Sequence, residues 1–184
     1  MKKCLMGMLF LLYAFPALTQ IYICRNAEVT FFSSAPIEDI KGESSTALSA
    51  LNVDSKEVYF KVPIRSFNFH SSLMQEHFNE DYLESDKFPY AEFKGKIIDN
   101  IDLTKPGTYM VTVEGNLTIH NVTKTYATKG SVEVKPDSIT THAVFNIKPE
   151  DHGVKIPTLL TKNLAENLQV TVDATYHPRP VASK

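Results

Sequence analysis

Apolar and polar residues alternate with a period of two through most of this chain. The clearest run covers residues 109–119, where Tyr109, Val111, Val113, Gly115, Leu117 and Ile119 fall on one side and Met110, Thr112, Glu114, Asn116 and Thr118 on the other. Successive side chains leave a pleated strand in opposite directions, so this pattern marks a strand with one buried face. The same period recurs at residues 29–33, 55–63, 90–98, 124–135, 137–148 and 168–176. From Ile21 onward the chain reads as a succession of strands. Pro36, Pro63, the run Lys105, Pro106, Gly107 and residues 149–153 supply the breaks, since proline and glycine interrupt a ladder. Pro157 interrupts an apolar stretch from Val154 to Leu164, with one helical turn expected near residues 162–166. Residues 44–54 set Ala47, Leu48, Ala50 and Leu51 among small polar residues, and fit either a short helix or a loop.

A different period appears inside the stretch 67–95, FNFHSSLMQEHFNEDYLESDKFPYAEFKG. Met74, Phe78 and Tyr82 recur every fourth residue, which places them on one face of a helix with Gln75, Glu76, Asn79 and Glu80 largely opposite. Ser72 stands three residues before Gln75, the spacing of a capping box, so the helix is expected to begin at Leu73. Glu80 and Asp81 put acidic charge at the end where the helix dipole disfavours it, which limits the helix to two or three turns. A helix that short has to lie across an apolar surface. The flanking strands provide one, with Phe67 and Phe69 before the helix and Phe93 after it.

The helix motif LMQEHFNEDYLE (73–84), preceded by SFNF (66–69) and followed by PYAEF (89–93), resembles the YceI-like family of bacterial lipid-binding proteins. Residues 29–40 extend the resemblance, as does GNLTIHNVT (115–123), which is similar to a G-x-L-x-I-H-G-V signature. Asn121 stands where that signature has glycine, and asparagine tolerates a left-handed turn. Seven or eight antiparallel strands with one apolar face each either stack as two sheets or close on themselves, and composition does not choose between the two. The resemblance implies closure: a mainly β fold, an antiparallel eight-stranded lipocalin-like barrel with a short helix, about 72–83, at its mouth. It also implies an amphiphilic polyisoprenoid or quinone-like lipid with its tail inside the barrel.

Ahead of the strands, Lys2 and Lys3 precede an apolar run from Leu5 to Ala17. A basic start followed by an apolar segment shorter than a bilayer span reads as a secretory signal peptide, with cleavage expected after Gln20; an uncleaved membrane anchor is the alternative. The expected organisation is a signal peptide at 1–20, one barrel domain at 21–177 and a loose tail at 178–184, in a periplasmic or secreted protein. Cys4 lies too early for lipoprotein attachment, and Cys24 lacks the small residue that should precede it. Of the two cysteines only Cys24 would remain after cleavage, so no disulfide would staple the mature chain. Its thiol is either reactive or, as expected of a strand position, shielded. Taking Lys2 and Lys3 from the 19 basic residues leaves 17 against 21 acidic, a formal charge of −4. That balance, with no basic run, makes nucleic acid a poor partner.

The sequence carries no G-x-S-x-G, H-E-x-x-H, C-x-x-C or glycine-rich phosphate loop, and has only seven glycines to offer a phosphate. His70 and His77 flank the helix start near Glu76, Glu80 and Asp81, where a metal or acid–base site is one reading and an ordinary exposed polar face the other. No catalytic residue, metal ligand or cofactor is assigned. His120, at the end of the longest alternating run, either makes a turn-stabilising hydrogen bond or meets a ligand head group. Asn116 and Asn121 each open an N-x-T triplet, but a strand position and a bacterial-type leader argue against glycosylation.

Binding remains. The expected ligand contacts are Phe31, Phe60, Phe67 and Phe69, the helix residues Leu73, Met74, Phe78 and Tyr82, and Phe93, Tyr109, Val111, Val113, Leu117, Ile119 and Phe145. Ala91, Gly95, Gly115, Ala143 and Ala174 share the inward rows, and where they face each other they would leave a void suited to an elongated hydrocarbon. Each buried methylene contributes about 0.8 kcal/mol, so a few isoprene units outweigh an association cost of roughly 4–15 kcal/mol. Asn68, His70, Tyr82, Tyr90 and Tyr126 are candidates to meet the head group. The leading expectation is an exported, non-catalytic carrier or sequestering protein for a small amphiphilic lipid. A filled barrel serving as an envelope interaction or stress module is a second reading, and an enzyme acting on the lipid through His70, His77 or Cys24 a third. An uncovered strand near 21–24 or 124–135 would let two copies pair as a homodimer, and an envelope membrane or membrane protein would act as lipid donor or acceptor.

Overall fold

Eight strands take up the alternating segments, each pairing antiparallel with the next until the last returns to the first. The computed structural model describes residues 20–34, 39–155 and 167–179. The strands are β1 (Ile21–Ser33), β2 (Ile40–Asn52), β3 (Glu57–Pro63), β4 (Tyr90–Ile97), β5 (Gly107–Ile119), β6 (Val122–Val134), β7 (Ile139–Ile147) and β8 (Leu168–Pro178). β8 pairs with β1 from Gln169 opposite Phe32 to Pro178 opposite Tyr22, which closes the barrel. The last strand runs past the expected boundary at 177, and the Arg179 N–H still bonds the Ile21 carbonyl at 2.9 Å. The expected leader, the break at Pro36, the helical turn near 162–166 and the final tail residues lie outside the described residues.

The segment that fitted either helix or loop is strand β2. Its inward positions, Gly42, Ser44, Ala47, Ser49 and Leu51, are buried but mostly small, so hydropathy does not alternate where size does. Bulges in the β1–β2 pairing between Cys24 and Val29 also shift the period. Two of the small residues answer to what faces them. Phe31 lies opposite Gly42, and its ring stands 2.5 Å from where a Cβ on Gly42 would sit. The Ser49 hydroxyl donates to the Tyr59 carbonyl at 2.7 Å and accepts from the Tyr176 hydroxyl at 2.8 Å.

The turns joining β2 to β3, β4 to β5 and β6 to β7 gather at one end. Leu51, Val53, Leu103, Ile139 and Tyr176, none more than 4% exposed, plug it. Burial pushes the Tyr176 hydroxyl well above the ordinary tyrosine range, so it stays a neutral donor to Ser49. Cys24, 2% exposed, is a shielded thiol in the same core.

The opposite end carries helix α1 (Ser72–His77) with a π-helical continuation, Phe78–Tyr82, together with the β5–β6 hairpin and a 3-10 turn at Pro149–His152. The hairpin passes from Ile119 to Val122 through His120 (φ 50°) and Asn121 (φ 59°), the two left-handed residues that a type I′ turn requires.

Gly95 and Gly115 face each other across β4 and β5, yet they do not leave the void expected of them. The Phe93 ring lies over both, 2.5 Å and 2.6 Å from the positions their Cβ atoms would take. Glycine here lets a ring lie against the wall instead of projecting across the barrel. A Cβ on Gly115 would also stand 2.5 Å from the Gly95 Cα and the Lys94 carbonyl, which are backbone atoms that cannot swing aside. Gly115→Ala is therefore expected to cost about 1–3 kcal/mol, read as a lowered midpoint in thermal unfolding; an unchanged midpoint would contradict this packing.

Candidate ligand-binding site

Between the Tyr176 floor and the helix lies a cavity of about 260 Å³. Small-molecule sites usually span ~300–1,000 Å³, so the space suits a slender chain better than a broad ring system. Its wall draws on every strand, for example Val29, Val58, Ala91, Val132, Ala143 and Val172, and the lining is almost wholly apolar. Among the described residues no lysine or arginine lines it.

Of the expected contacts, Phe31, Phe60, Phe67, Phe69, Met74, Phe78, Tyr82, Phe93, Val111, Val113, Leu117, Ile119 and Phe145 line this cavity. Leu73 and Tyr109 do not. Leu73 precedes Met74 by one residue, which turns it about 100° from the lumen face of the helix, and it is 60% exposed. Tyr109 belongs to the closed end, where its hydroxyl donates to the Lys105 carbonyl at 3.0 Å. Ala91 and Ala143 do border open space, whereas Ala174 is packed in the core.

The helix is tied to the wall as well as packed on it. Its cap is Ser71 rather than Ser72: the Ser71 hydroxyl accepts from the Met74 N–H at 3.3 Å. Gln75 does not reach back to that cap. Its Oε1 accepts from the Phe69 N–H at 3.2 Å and its Nε2 donates to the Phe67 carbonyl at 2.7 Å. The same segment is held to β2, where the Glu43 and Asn68 backbones exchange hydrogen bonds of 3.1 Å and 2.8 Å. The helix then widens, the Leu83 N–H bonding the Phe78 carbonyl at 3.0 Å, and Met74, Phe78 and Tyr82 all border the lumen. Beneath it Phe31, Phe67, Phe69 and Phe78 pack with ring centroids 4.8 to 5.6 Å apart. These rings narrow this end of the cavity without filling it.

The far end of the helix is anchored by His120. The Ser85 N–H returns to the Asn79 carbonyl at 2.8 Å, leaving Glu84 in the left-handed region at φ 42°. The Glu84 carboxylate pairs with Lys87 and lies 3.0 Å from His120 Nε2, while the Phe88 ring sits 4.3 Å from the imidazole. His120 thus makes a structural bond, reaching across to the helix end instead of within its own turn, and it does not line the cavity. The Lys87 contact first, then His120, holds the Glu84 carboxyl below its ordinary value. His77 Nδ1 lies 2.5 Å from Asp81 Oδ2 on the outer face, and among the described residues no three His, Cys, Asp or Glu side chains gather as a metal site.

The polar end of the lumen involves a residue not singled out in the sequence, His152. It is 0% exposed: Nδ1 donates to the Val122 carbonyl at 2.9 Å, so in the neutral ring Nε2 accepts from the Tyr126 hydroxyl at 3.0 Å. The two rings are nearly parallel, 9° apart at 5.9 Å. Burial, and then the charge of Asp151, raise the Tyr126 hydroxyl above its ordinary pKa. A histidine in a Pro–Glu–Asp–His–Gly turn reads as a surface residue; Gly153, at φ 71°, folds the chain so that it turns inside. Of the head-group candidates, Tyr82 and Tyr126 border the cavity, whereas Asn68, His70 and Tyr90 are exposed outside it.

An antiparallel eight-stranded barrel with an apolar lumen and a helix across one end has the architecture of proteins that enclose a single hydrophobic ligand. The YceI-like domain matches residues 24–176, and the chain belongs to that family. A polyisoprenoid-binding domain from Saccharophagus degradans, implicated in plant cell wall breakdown, superposes with a TM-score of 0.73 at 15% identity, over 88% of this chain and 99% of the other. BcnA from Burkholderia cenocepacia gives 0.68 at 17% identity, over 81% and 95%. A Campylobacter jejuni YceI protein gives 0.53 at 20%, over 71% and 80%. At such identities the likeness is one of fold. No curated protein sequence matches the chain.

Gln75→Leu leaves the Phe69 N–H and the Phe67 carbonyl without their partner and is expected to cost about 1–3 kcal/mol. Hydrogen exchange at the Phe69 amide should accelerate, and unchanged protection would show that Gln75 does not tie the helix down. The Glu84 carboxyl, followed by carbon-13 NMR, should titrate below the ordinary glutamate value. His120→Ala should move that midpoint up only part of the way, because the Lys87 contact is the larger cause. With its folded-state pKa depressed, Glu84 stabilises the helix end above the ordinary carboxylate range, and this is lost as pH falls through the lowered value.

Proposed function

We propose that this protein is an exported, non-catalytic lipid-binding protein that holds an amphiphilic polyisoprenoid or quinone-like chain in its barrel, for carriage or sequestration. The observation that carries the reading is the lumen itself: about 260 Å³ of space walled by Phe, Val, Leu and Ile from all eight strands. An apolar void of that kind gains from a hydrocarbon what it cannot gain from water. The S. degradans neighbour, described as a polyisoprenoid-binding domain, supports the same class of ligand. The basic and apolar pattern of residues 1–20 supports export to the periplasm or beyond. No catalytic step is assigned, and no cofactor is needed.

Native mass spectrometry of the purified protein tests this. It should carry a lipid adduct, and delipidated protein should take up a prenyl chain again. Val113→Trp, which displaces two or three methylenes worth about 0.8 kcal/mol each, should weaken binding by about 15- to 50-fold. Delipidated protein that rebinds no prenyl chain, or a Val113→Trp variant that binds as tightly as wild type, would contradict the reading.

A further inference from the structure

Between β6 and β7 the barrel wall parts, and polar side chains of the lumen gather there. β6 and β7 pair only from Gly130 opposite Ala143 to Val134 opposite Ile139, although β6 begins at Val122 and β7 continues to Ile147. Beyond that point the ladder stops. What spans the split is the Thr128 hydroxyl donating to the Val144 carbonyl at 3.3 Å, and the rings of Tyr126 and Phe145, 6.4 Å apart. The inward row of β6 records the change: Gly130, Val132 and Val134 are buried, Tyr126 and Thr128 only half-buried. The Pro149–His152 turn lies beside the split and sets His152 against Tyr126.

We propose that the split between β6 and β7 houses the polar head of the bound lipid, hydrogen-bonded to the Tyr126 hydroxyl, and that this head is a neutral hydrogen-bond donor such as an alcohol or a hydroquinone. The inference rests on the lipid-binding reading above and narrows it to one kind of ligand. Its chemistry follows from how the pair is wired. His152 Nδ1 is committed to the Val122 carbonyl, so the neutral ring takes the Tyr126 proton on Nε2. The Tyr126 oxygen then has lone pairs left and no proton to give, and the group it meets must donate.

Charge points the same way. Among the described residues the lumen has no lysine or arginine, and the charge that acts on Tyr126 is the carboxylate of Asp151. An anionic head brought here would be desolvated without a counter-ion, which costs more than one hydrogen bond returns. At the floor, the Tyr176 hydroxyl is already spent on Ser49. Thr128, Ser131 and Thr141 also border the cavity; Tyr82, the other tyrosine beside Tyr126 and Tyr176 in the lining, sits on the helix and serves as the control.

Delipidated wild type, Tyr126→Phe and Tyr82→Phe are titrated with a prenyl alcohol, the chain-matched prenyl hydrocarbon and the chain-matched prenyl phosphate. Tyr126→Phe should weaken the alcohol by about three- to tenfold, the worth of one neutral hydrogen bond, and leave the hydrocarbon within about twofold. Tyr82→Phe should leave the ratio of alcohol to hydrocarbon affinity unchanged, and the phosphate should bind wild type more weakly than the alcohol. Alcohol binding that survives Tyr126→Phe, equal losses for alcohol and hydrocarbon, or phosphate binding as tight as the alcohol would overturn the head-group assignment while leaving a tail-binding barrel intact. Failure of wild type to bind all three would overturn both readings. Nitrogen-15 NMR of His152 in wild type gives an answer free of folding effects. Its ring signals should shift on saturation with the alcohol and stay in place with the hydrocarbon; equal responses would contradict the proposal.

Discussion

An eight-stranded barrel encloses a space that its own side chains can just fill. Whether this one is a core or a container therefore turns on where its aromatic rings lie. Phe31 and Phe93 would cross the lumen if their neighbours had side chains. Gly42 lies under the first ring, Gly95 and Gly115 under the second, and both rings rest against the wall. The remaining bulk is concentrated at the ends: Tyr176, Leu51 and Leu103 at the floor, and Phe67, Phe69 and Phe78 beneath the helix, where they pack on the Phe31 ring. Between them the barrel is hollow.

The two ends differ from the side in how they are held. The floor is closed by fully buried side chains and the Tyr176–Ser49–Tyr59 hydrogen-bond chain. The helix is fixed at its start by Gln75 and at its finish by the contact of Glu84 with His120, so neither end of it hangs on apolar contact alone. Between β6 and β7, beyond the Gly130–Ala143 pair, one side-chain hydrogen bond and one pair of rings stand where the ladder would continue. A lipid whose tail fills the lumen and whose head sits in that split meets apolar wall with its chain and a hydrogen-bonding pair with its polar end.

How much of this the residues alone disclosed depended on whether the burial pattern was written in hydropathy. β5, β7 and β8 bury valine, isoleucine, leucine and phenylalanine on one face, so their alternation is plain. β2 buries glycine, serine and alanine, with the Phe31 ring over Gly42 and the Tyr176 hydroxyl on Ser49, and its strand character is hidden from any hydropathy pattern. The lumen face of the helix was readable from Met74, Phe78 and Tyr82, but its cap was not. Ser71 and Ser72 both qualify locally, and Gln75 is drawn off by Phe67 and Phe69, a tertiary contact. Small residues in the inward rows suggested a void, which Ala91 and Ala143 do border, whereas Gly95 and Gly115 are covered by Phe93. His152 is invisible in sequence because its burial is decided by the direction of one left-handed turn. Closure itself came from the family resemblance and not from composition, which allowed a sandwich equally well.

The central claim is that the interior is a hollow with an apolar wall. Apolar cavities of this size exclude water and take up xenon, so a crystal of delipidated protein under xenon pressure interrogates the lumen without presuming any lipid. Xenon should appear between Phe60, Val111 and Phe145, with those side chains unmoved. A lumen occupied by ordered water, or collapsed around rings that have swung inward to leave no xenon site, would contradict the account.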